Sequence, residues 1–300
     1  MSVLVTTVDG YRIFTSSGKE LTSLEGHRVE CFTPGSDGTF LAVIDRHEVW
    51  SHGRDGAWTP IAKSEATLTA VVAAGDAVFA GTDDARVLRL ASSGALEPLA
   101  GFDTVAGRDE WHTPFGAIAV RTMTTTADGG ALLVNVHVGG IPRTVDGGDT
   151  WVPTIAVDDD VHQVLAHPTR ADVVVAAASA GLCRSTDGGA TWTSSTDGLA
   201  MTYARAVAFV GDEVAISVSN GPRATTAAIY RAGLGGGPAE RIDGGLGELH
   251  GNVDSRCLAS DGEVVALADG AGAVWRSAAG LDGFEQIADG LERVTSVTVA

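Results

Sequence analysis

RTVDGGDTW at 143–151 and RSTDGGATW at 184–192 are two near-copies of one nine-residue string, and their reading decides the fold. After an arginine, each runs hydroxyl residue, spacer, Asp, Gly-Gly, spacer, Thr-Trp. Gly147, Gly148, Gly188 and Gly189 can take positive φ, and Asp146 and Asp187 can accept hydrogen bonds from nearby backbone amides. The string therefore predicts a tight turn between two strands. Trp151 and Trp192 leave that turn with a fixed direction in which to pack.

Working outward, the end of the strand before each such turn aligns at Thr15, Ser51, Arg89, Arg143, Arg184, Arg231 and Arg276, with spacings of 36, 38, 54, 41, 47 and 45 residues. Two weaker units keep the spacing without its centre: Ser51 to Trp58 and Ser277 to Phe284 match Thr144 to Trp151 and Ser185 to Trp192. The last three units share a closing turn, Asp197-Gly198-Leu199, Gly244-Gly245-Leu246 and Asp289-Gly290-Leu291. A period of about 40 residues made of short strands is that of a propeller blade. The expected fold is all-β, a seven-bladed β-propeller forming a single domain over 1–300. Short apolar strands expected to line the axis include LTAVVAA (68–74), HQVLAHP (162–168), RAVAFV (205–210) and RCLAS (256–260). The final one, VTSVTVA (294–300), has no successor, while VLVTTVDGYRIF (3–14) has the form of the next strand pair. The C-terminal strand is thus expected to complete the N-terminal blade, closing the ring and removing two exposed edges.

Composition supports this and excludes some partners. The 39 glycines and 6% aromatic content suit many short strands joined by turns. A net charge of −18, with lysine only at Lys19 and Lys63, offers neither phosphate neutralisation nor a polybasic patch. Nucleic acid and membrane surfaces are accordingly excluded as partners. Residues 1–10, MSVLVTTVDG, read as strand and turn without the features of an export signal, and no run approaches a membrane span. Cys31, Cys183 and Cys257 are odd in number and lie within apolar runs, which predicts buried free thiols and a cytoplasmic location.

The repeated string resembles the Asp box of BNR-repeat, sialidase-type propellers. By its period the whole chain is similar to the WD40/YVTN/BNR-like group, which includes photosystem-assembly-factor-like and sortilin-type propellers. The resemblance implies boxes at the blade edge, remote from the ligand-binding mouth, and it implies a fold rather than a reaction. Propellers build that mouth from the loops entering the innermost strands and from those between the second and third strands. Here the entering loops include RDEWHTPFG (108–116), VDDDVHQV (157–164), MTYARAV (201–207) and LHGNVDSRC (249–257), and the second set includes NVHVGGI (135–141) and SVSNGPRATT (217–226). The register sends His112, Arg121, His137, His162, Tyr203, Arg205, Asn220, Arg223, His250, Asn252, Asp254 and Arg256 toward one mouth as candidate ligand-binding residues. Units three to six hold nearly every polar departure from the repeat, including the insertion at 101–115.

The chemistry of these residues sets the expected function. His112, His137 and His162 are candidate ligands for a divalent metal, the one cofactor considered, because imidazole nitrogen binds borderline cations well. The run Asp158-Asp159-Asp160 reads as a solvated loop. Arg121, Arg205 and Arg256, with Tyr203 nearby, lie where a sialidase resemblance would want its arginines and nucleophile. However, the early Arg-Ile-Pro element of that family is missing, and GGIPRTVDGG (139–148) has Ile-Pro before the arginine in a middle unit. Seven units in place of six also count against retaining sialidase chemistry. Mixed imidazole, guanidinium and carboxylate groups suit a small polar, anionic or carbohydrate-like ligand, with glycosyl hydrolase or lyase chemistry as an extension. No catalytic residue is assigned. The alternative is a non-enzymatic scaffold for protein partners.

Overall fold

A computed structural model describes residues 2–35, 39–53, 56–113 and 117–300. Its strands form seven antiparallel sheets, numbered here as blades I to VII. Blade I contains Ser2–Thr6, Tyr11–Thr15 and Glu20–Ser23, preceded in sheet order by Ser296–Val299. Blade II runs Val29–Pro34, Phe40–Ile44, Glu48–His52 and Trp58–Lys63, and blade III runs Leu68–Ala74, Ala77–Thr82, Val87–Leu90 and Leu96–Pro98. Blade IV is Val120–Thr125, Leu132–Val136, Pro142–Thr144 and Val152–Pro153; blade V is Val161–Ala166, Val174–Ala178, Gly181–Ser185 and Thr193–Ser195. Blade VI is Tyr203–Val210, Glu213–Ser219, Thr226–Gly233 and Glu240–Arg241, and blade VII is Leu258–Ser260, Val265–Ala268, Val274–Arg276 and Glu285–Ala288. The chain is an all-β, seven-bladed propeller, as the repeat predicts. Every one of the seven aligned positions, Thr15 through Arg276, falls on the third strand of its blade.

The C-terminal strand pairs with Ser2–Thr6, with Val3 opposite Val299 and Val5 opposite Val297, so it supplies the first strand of blade I and closes the ring. Ser2 N donates to Ala300 O at 2.7 Å, and Ala300 N donates to Ser2 O at 2.9 Å. At the Gly10 turn of the same blade, φ is 78° and an added Cβ would lie 2.6 Å from Ser23 O, so only glycine fits.

Contacts gather into two compact units: Met1–Val29, Ala176–Cys183 and Ser194–Ala300 in one, Glu30–Val175 and Arg184–Thr193 in the other. In the first unit, Val3, Val5, Ile229, Leu249, Leu267 and Phe284 belong to one apolar cluster. In the second, Phe102, Trp111, Val120, Val134 and Trp151 form one cluster, and Val43, Val49, Leu68 and Leu88 belong to another. Cys31, Cys183 and Cys257 are free and buried, as expected. Among the described residues no helix is long and apolar enough to cross a membrane.

Both nine-residue strings fold as the tight turns expected of them. In the first, Thr144 Oγ1 donates to Asp146 Oδ1 at 2.7 Å and accepts from Gly148 N at 3.1 Å, while Thr150 donates to Asp146 through both its amide and its hydroxyl. In the second, Ser185, Asp187, Gly189 and Thr191 repeat the pattern. Hydrogen bonds led by the Thr191 hydroxyl hold the Asp187 carboxyl down at about 2, and those led by the Thr150 hydroxyl hold Asp146 well below the usual carboxylate range. Trp151 is buried against Phe102, edge to face at 4.9 Å, and its Nε1 donates to Gly148 O at 3.0 Å. Phe284 is also buried, whereas Trp58 and Trp192 are half-buried.

A second recurrent contact joins one blade to the next at the start of the leading strand or in the segment just before it. Thr69 Oγ1 of blade III donates to Val120 O of blade IV at 2.6 Å, and Asn135 Nδ2 of blade IV donates to Val161 O of blade V at 2.8 Å. Ser217 Oγ of blade VI donates to Val253 O at 2.9 Å, and Thr295 Oγ1 donates to Val29 O at 2.5 Å. Val120, Val161, Val253 and Val29 are buried, so each carbonyl needs a protein partner.

Two outcomes follow for stability. Trp151→Ala should cost about 3–5 kcal/mol in denaturant unfolding and Trp192→Ala clearly less, since only the first ring is buried; equal losses would contradict the packing described. Asn135→Ala, which leaves the Val161 carbonyl buried and unmet, should cost about 1–3 kcal/mol by the same measurement.

Candidate functional site

The leading strands of blades III, IV and VI each slip register by one residue near their start. The slips lie between Leu68 and Ala70, between Val120 and Thr122, and between Ala204 and Ala206, leaving Thr69, Arg121 and Arg205 bulged. A bulge re-aims the side chain it carries. Thr69 spends its side chain on the contact to the next blade. In blades IV and VI the bulged position carries Arg121 and Arg205, and a second residue makes the contact to the next blade. These second residues are Asn135 and Ser217, which sit on the second strand opposite Thr122 and Ala206. The corresponding residue of blade III, opposite Ala70, is Gly81, where a Cβ would lie 2.3 Å from a methyl of Val120. One repeat position therefore has two settings, a threonine that makes the contact to the next blade itself or an arginine beside a second-strand residue that makes it.

Around Arg121 the second unit assembles a polar cluster. His137 follows the second strand of blade IV, its amide held by Ala119 O at 2.9 Å. Asp160 caps a short 3-10 turn with φ 45°, a left-handed conformation that Asp tolerates better than most residues. Two residues on, the His162 side chain is fully buried, and its Nε2 lies 3.4 Å from Asp160 Oδ2. Burial, then the Arg121 charge, push His137 down to about 4, so its ring is neutral at pH 7. Burial pushes the Asp160 carboxyl up, but the His162 hydrogen bond and the charges of His162, Arg121 and His137 outweigh it and leave the group low. Asp160 Oδ1 is buried and accepts no hydrogen bond among the described residues. The result is a fixed cation, a neutral imidazole and a carboxylate-braced imidazole at the start of two adjacent leading strands.

The first unit holds a different set. Arg205 Nε lies 2.6 Å from Asp254 Oδ1, and its guanidinium carbon stands 5.8 Å from the Tyr203 ring centroid. Ser255 Oγ donates to Arg205 O at 3.2 Å. Asn252 Nδ2 donates to Gly221 O and Pro222 O, fastening the loop that carries the exposed Asn220 and Arg223. Arg256 has φ 68° and precedes Cys257, whose thiol is pushed up to about 12 by burial and then by Asp254, far from thiolate chemistry.

Several expectations need correction. His112 is exposed, and its Nδ1 lies 3.0 Å from Glu110 O. Among the described residues no three His, Cys, Asp or Glu side chains could hold a metal ion. The Arg121 charge beside His137 opposes a cation there. Asp160, read as part of a solvated loop, instead braces His162, and the left-handed turn that aims it there left no signal in the sequence. The insertion at 101–115 is largely structural: Phe102, Val105 and Trp111 are buried, and Arg108 covers Trp111 at 4.6 Å. Residues 114–116 of the loop 108–116 lie outside the described residues. His250 lies on a short strand, Leu249–His250, that adds to blade VI.

No family model matches the chain, and no curated protein matches it. Solved structures do match. The chain is similar to an ancestral GH74 enzyme, with TM-score 0.66 and 12% identity over 99% of this chain and 40% of that one, so it spans well under half that enzyme's length. It is also similar to a chain of the mitotic checkpoint complex (TM-score 0.65, 11% identity, 91% of this chain and 81% of that chain) and to the computationally designed Ika8 protein (0.62, 13%, 100% and 87%). At these identities the likeness carries the propeller fold and no activity.

Proposed function

We propose that this chain, working as one domain over 1–300, is an Asp-box propeller that binds a small anionic or polyhydroxy ligand, with Arg121, His137, Asp160 and His162 as the core of its site. The observation that carries the proposal is the bulge at Arg121 on the leading strand of blade IV, together with the buried His162 braced by Asp160 at 3.4 Å on that of blade V, the Arg121 charge helping to keep His137 neutral. A carboxylate or phosphate would pair with Arg121, and His137 can donate from one ring nitrogen and accept at the other. The nine candidate residues outside this core are proposed as ligand contacts of their own units, those of the first unit gathered around Tyr203, Arg205 and Asp254.

Neutralising Arg121 with a bound anion removes one of the two main causes that depress His137. Binding should therefore raise the basicity of that imidazole and take up a proton. At pH 7, where most of the imidazole stays neutral, the raised basicity beside a neutralised carboxylate suits His137 to proton abstraction, which is how lyase chemistry would arise here. A scaffold role is the second reading, favoured by Val145 and Val152, each 62% exposed.

The test is a titration of the protein with glucuronate, glucose and inorganic phosphate between pH 7 and pH 5. Glucuronate should bind more tightly as pH falls toward 5, because the complex holds an extra proton on His137, and the titration midpoint of the His137 ring should rise toward the usual histidine range on binding. Arg121→Gln should weaken glucuronate about tenfold or more and raise His137 without ligand. No anion binding, or binding indifferent to Arg121, would overturn the ligand reading in favour of the scaffold.

A further inference from the structure

Five of the seven units place an arginine at the end of the third strand: Arg89, Arg143, Arg184, Arg231 and Arg276. Where its role is resolved, that arginine finds a carbonyl or carboxylate partner. Arg143 Nε donates to Gly188 O of the next blade's turn at 2.8 Å, closing the seam between blades IV and V. Arg276 Nη1 donates to Thr15 O at 3.3 Å and pairs with Glu285, and Arg231 pairs with Glu240. By the same register Arg89 should reach Gly147, the counterpart of Gly188.

It does not. Among the described residues Arg89 makes no hydrogen bond or ion pair, and its guanidinium carbon stands 5.8 Å from the Phe79 ring centroid. The two seams differ in their glycines as well. At Gly188 an added Cβ would meet Ala171 O at 3.3 Å and Arg143 Nη2 at 3.6 Å, whereas at Gly147 it would meet nothing within 4 Å. The space left is a cavity of about 180 Å³, bordered by Arg89 and Gly147 and walled by Ala77, Phe79, Leu132 and Val145. The open turn carries exposed Val145 where the closed one carries Thr186.

We propose that this open seam binds a small organic monocarboxylate with an apolar body of about the size of benzoate. Its carboxylate takes the place beside Arg89 that the Gly188 carbonyl takes beside Arg143, and its body lies against Phe79, Ala77, Leu132 and Val145. Size supports this, since apolar protein cavities of about 150 Å³ hold benzene. Charge supports it too: the neighbouring carboxylates Asp128 and Asp146 are held by hydroxyls and amides of their own turns and do not pair with Arg89. Inorganic phosphate fits poorly, having one cation to meet it and an apolar wall to face.

Calorimetric titration with benzoate, benzyl alcohol and inorganic phosphate, joined to amide chemical-shift mapping, tests the proposal. Benzoate should bind saturably and shift the amides of Phe79, Gly130 and Gly147, with the neutral isostere and phosphate each about tenfold weaker or more. Arg89→Gln should lose about the same factor and Arg89→Lys should lose less. Ala77→Leu, which fills the cavity, should abolish binding without lowering the melting temperature, and it decides the matter should Arg89→Gln fail to fold. Absence of saturable benzoate shifts at Phe79, Gly130 and Gly147, phosphate shifting these amides as tightly as benzoate, or their shifts surviving Ala77→Leu would overturn it.

Discussion

The carbonyl at the start of a leading strand is buried and must find a donor in the blade before it. That requirement constrains the repeat more tightly than its apolar pattern does, because a buried, unmet carbonyl costs about 1–3 kcal/mol whereas an exchanged methyl group costs less. Threonine answers it from the leading strand at Thr69 and Thr295, and a second-strand residue answers it at Asn135 and Ser217. Where the leading strand already supplies the donor in blade III, the second-strand position is Gly81, and the valine of the next blade fills its space. These residues vary together because they solve one problem.

This interchange explains how a structural repeat can host chemistry without losing stability. A bulge that would ordinarily hold one blade to the next can carry an arginine once its neighbour makes the hydrogen bond. Arg121 then lies among groups that titrate against one another: burial and the arginine keep His137 neutral, and Asp160 braces His162. The seam at Arg89 applies the same logic elsewhere, with an inter-blade partner withdrawn and an arginine left facing a cavity.

The fold was legible because its signals are local. Gly-Gly turns, the Trp seven residues after the hydroxyl, and apolar strands at a period of about 40 residues are all set within one blade. Ring closure was legible for a subtler reason, an apolar strand at 294–300 with no successor and a strand pair at 3–14 with no predecessor. The site was legible only in part. Arg121 and His137 could be assigned to neighbouring loops by register, but neither the bulge at Arg121 nor the left-handed turn at Asp160 has a composition of its own. Histidine count suggested a metal, and the charge beside His137, visible only in three dimensions, argues the reverse. The insertion at 101–115 looked like loop chemistry because it broke the repeat, yet Phe102 and Trp111 place it in the core beneath Trp151.

The pairing of Ser296–Val299 with Ser2–Thr6 also bears on how the chain reaches this state. Thr6 and Ser296 meet in a hydrogen bond across 290 positions of sequence, so the closing contact is among the most non-local that a chain of this length can make. Blades II to VII can each form from neighbouring strands, but blade I waits for the last one. During synthesis from the N-terminus, Ser2–Thr6 therefore presents an unpaired edge while nearly the whole chain is made after it. Slow final closure and a transient liability to edge-to-edge association follow from that order of events.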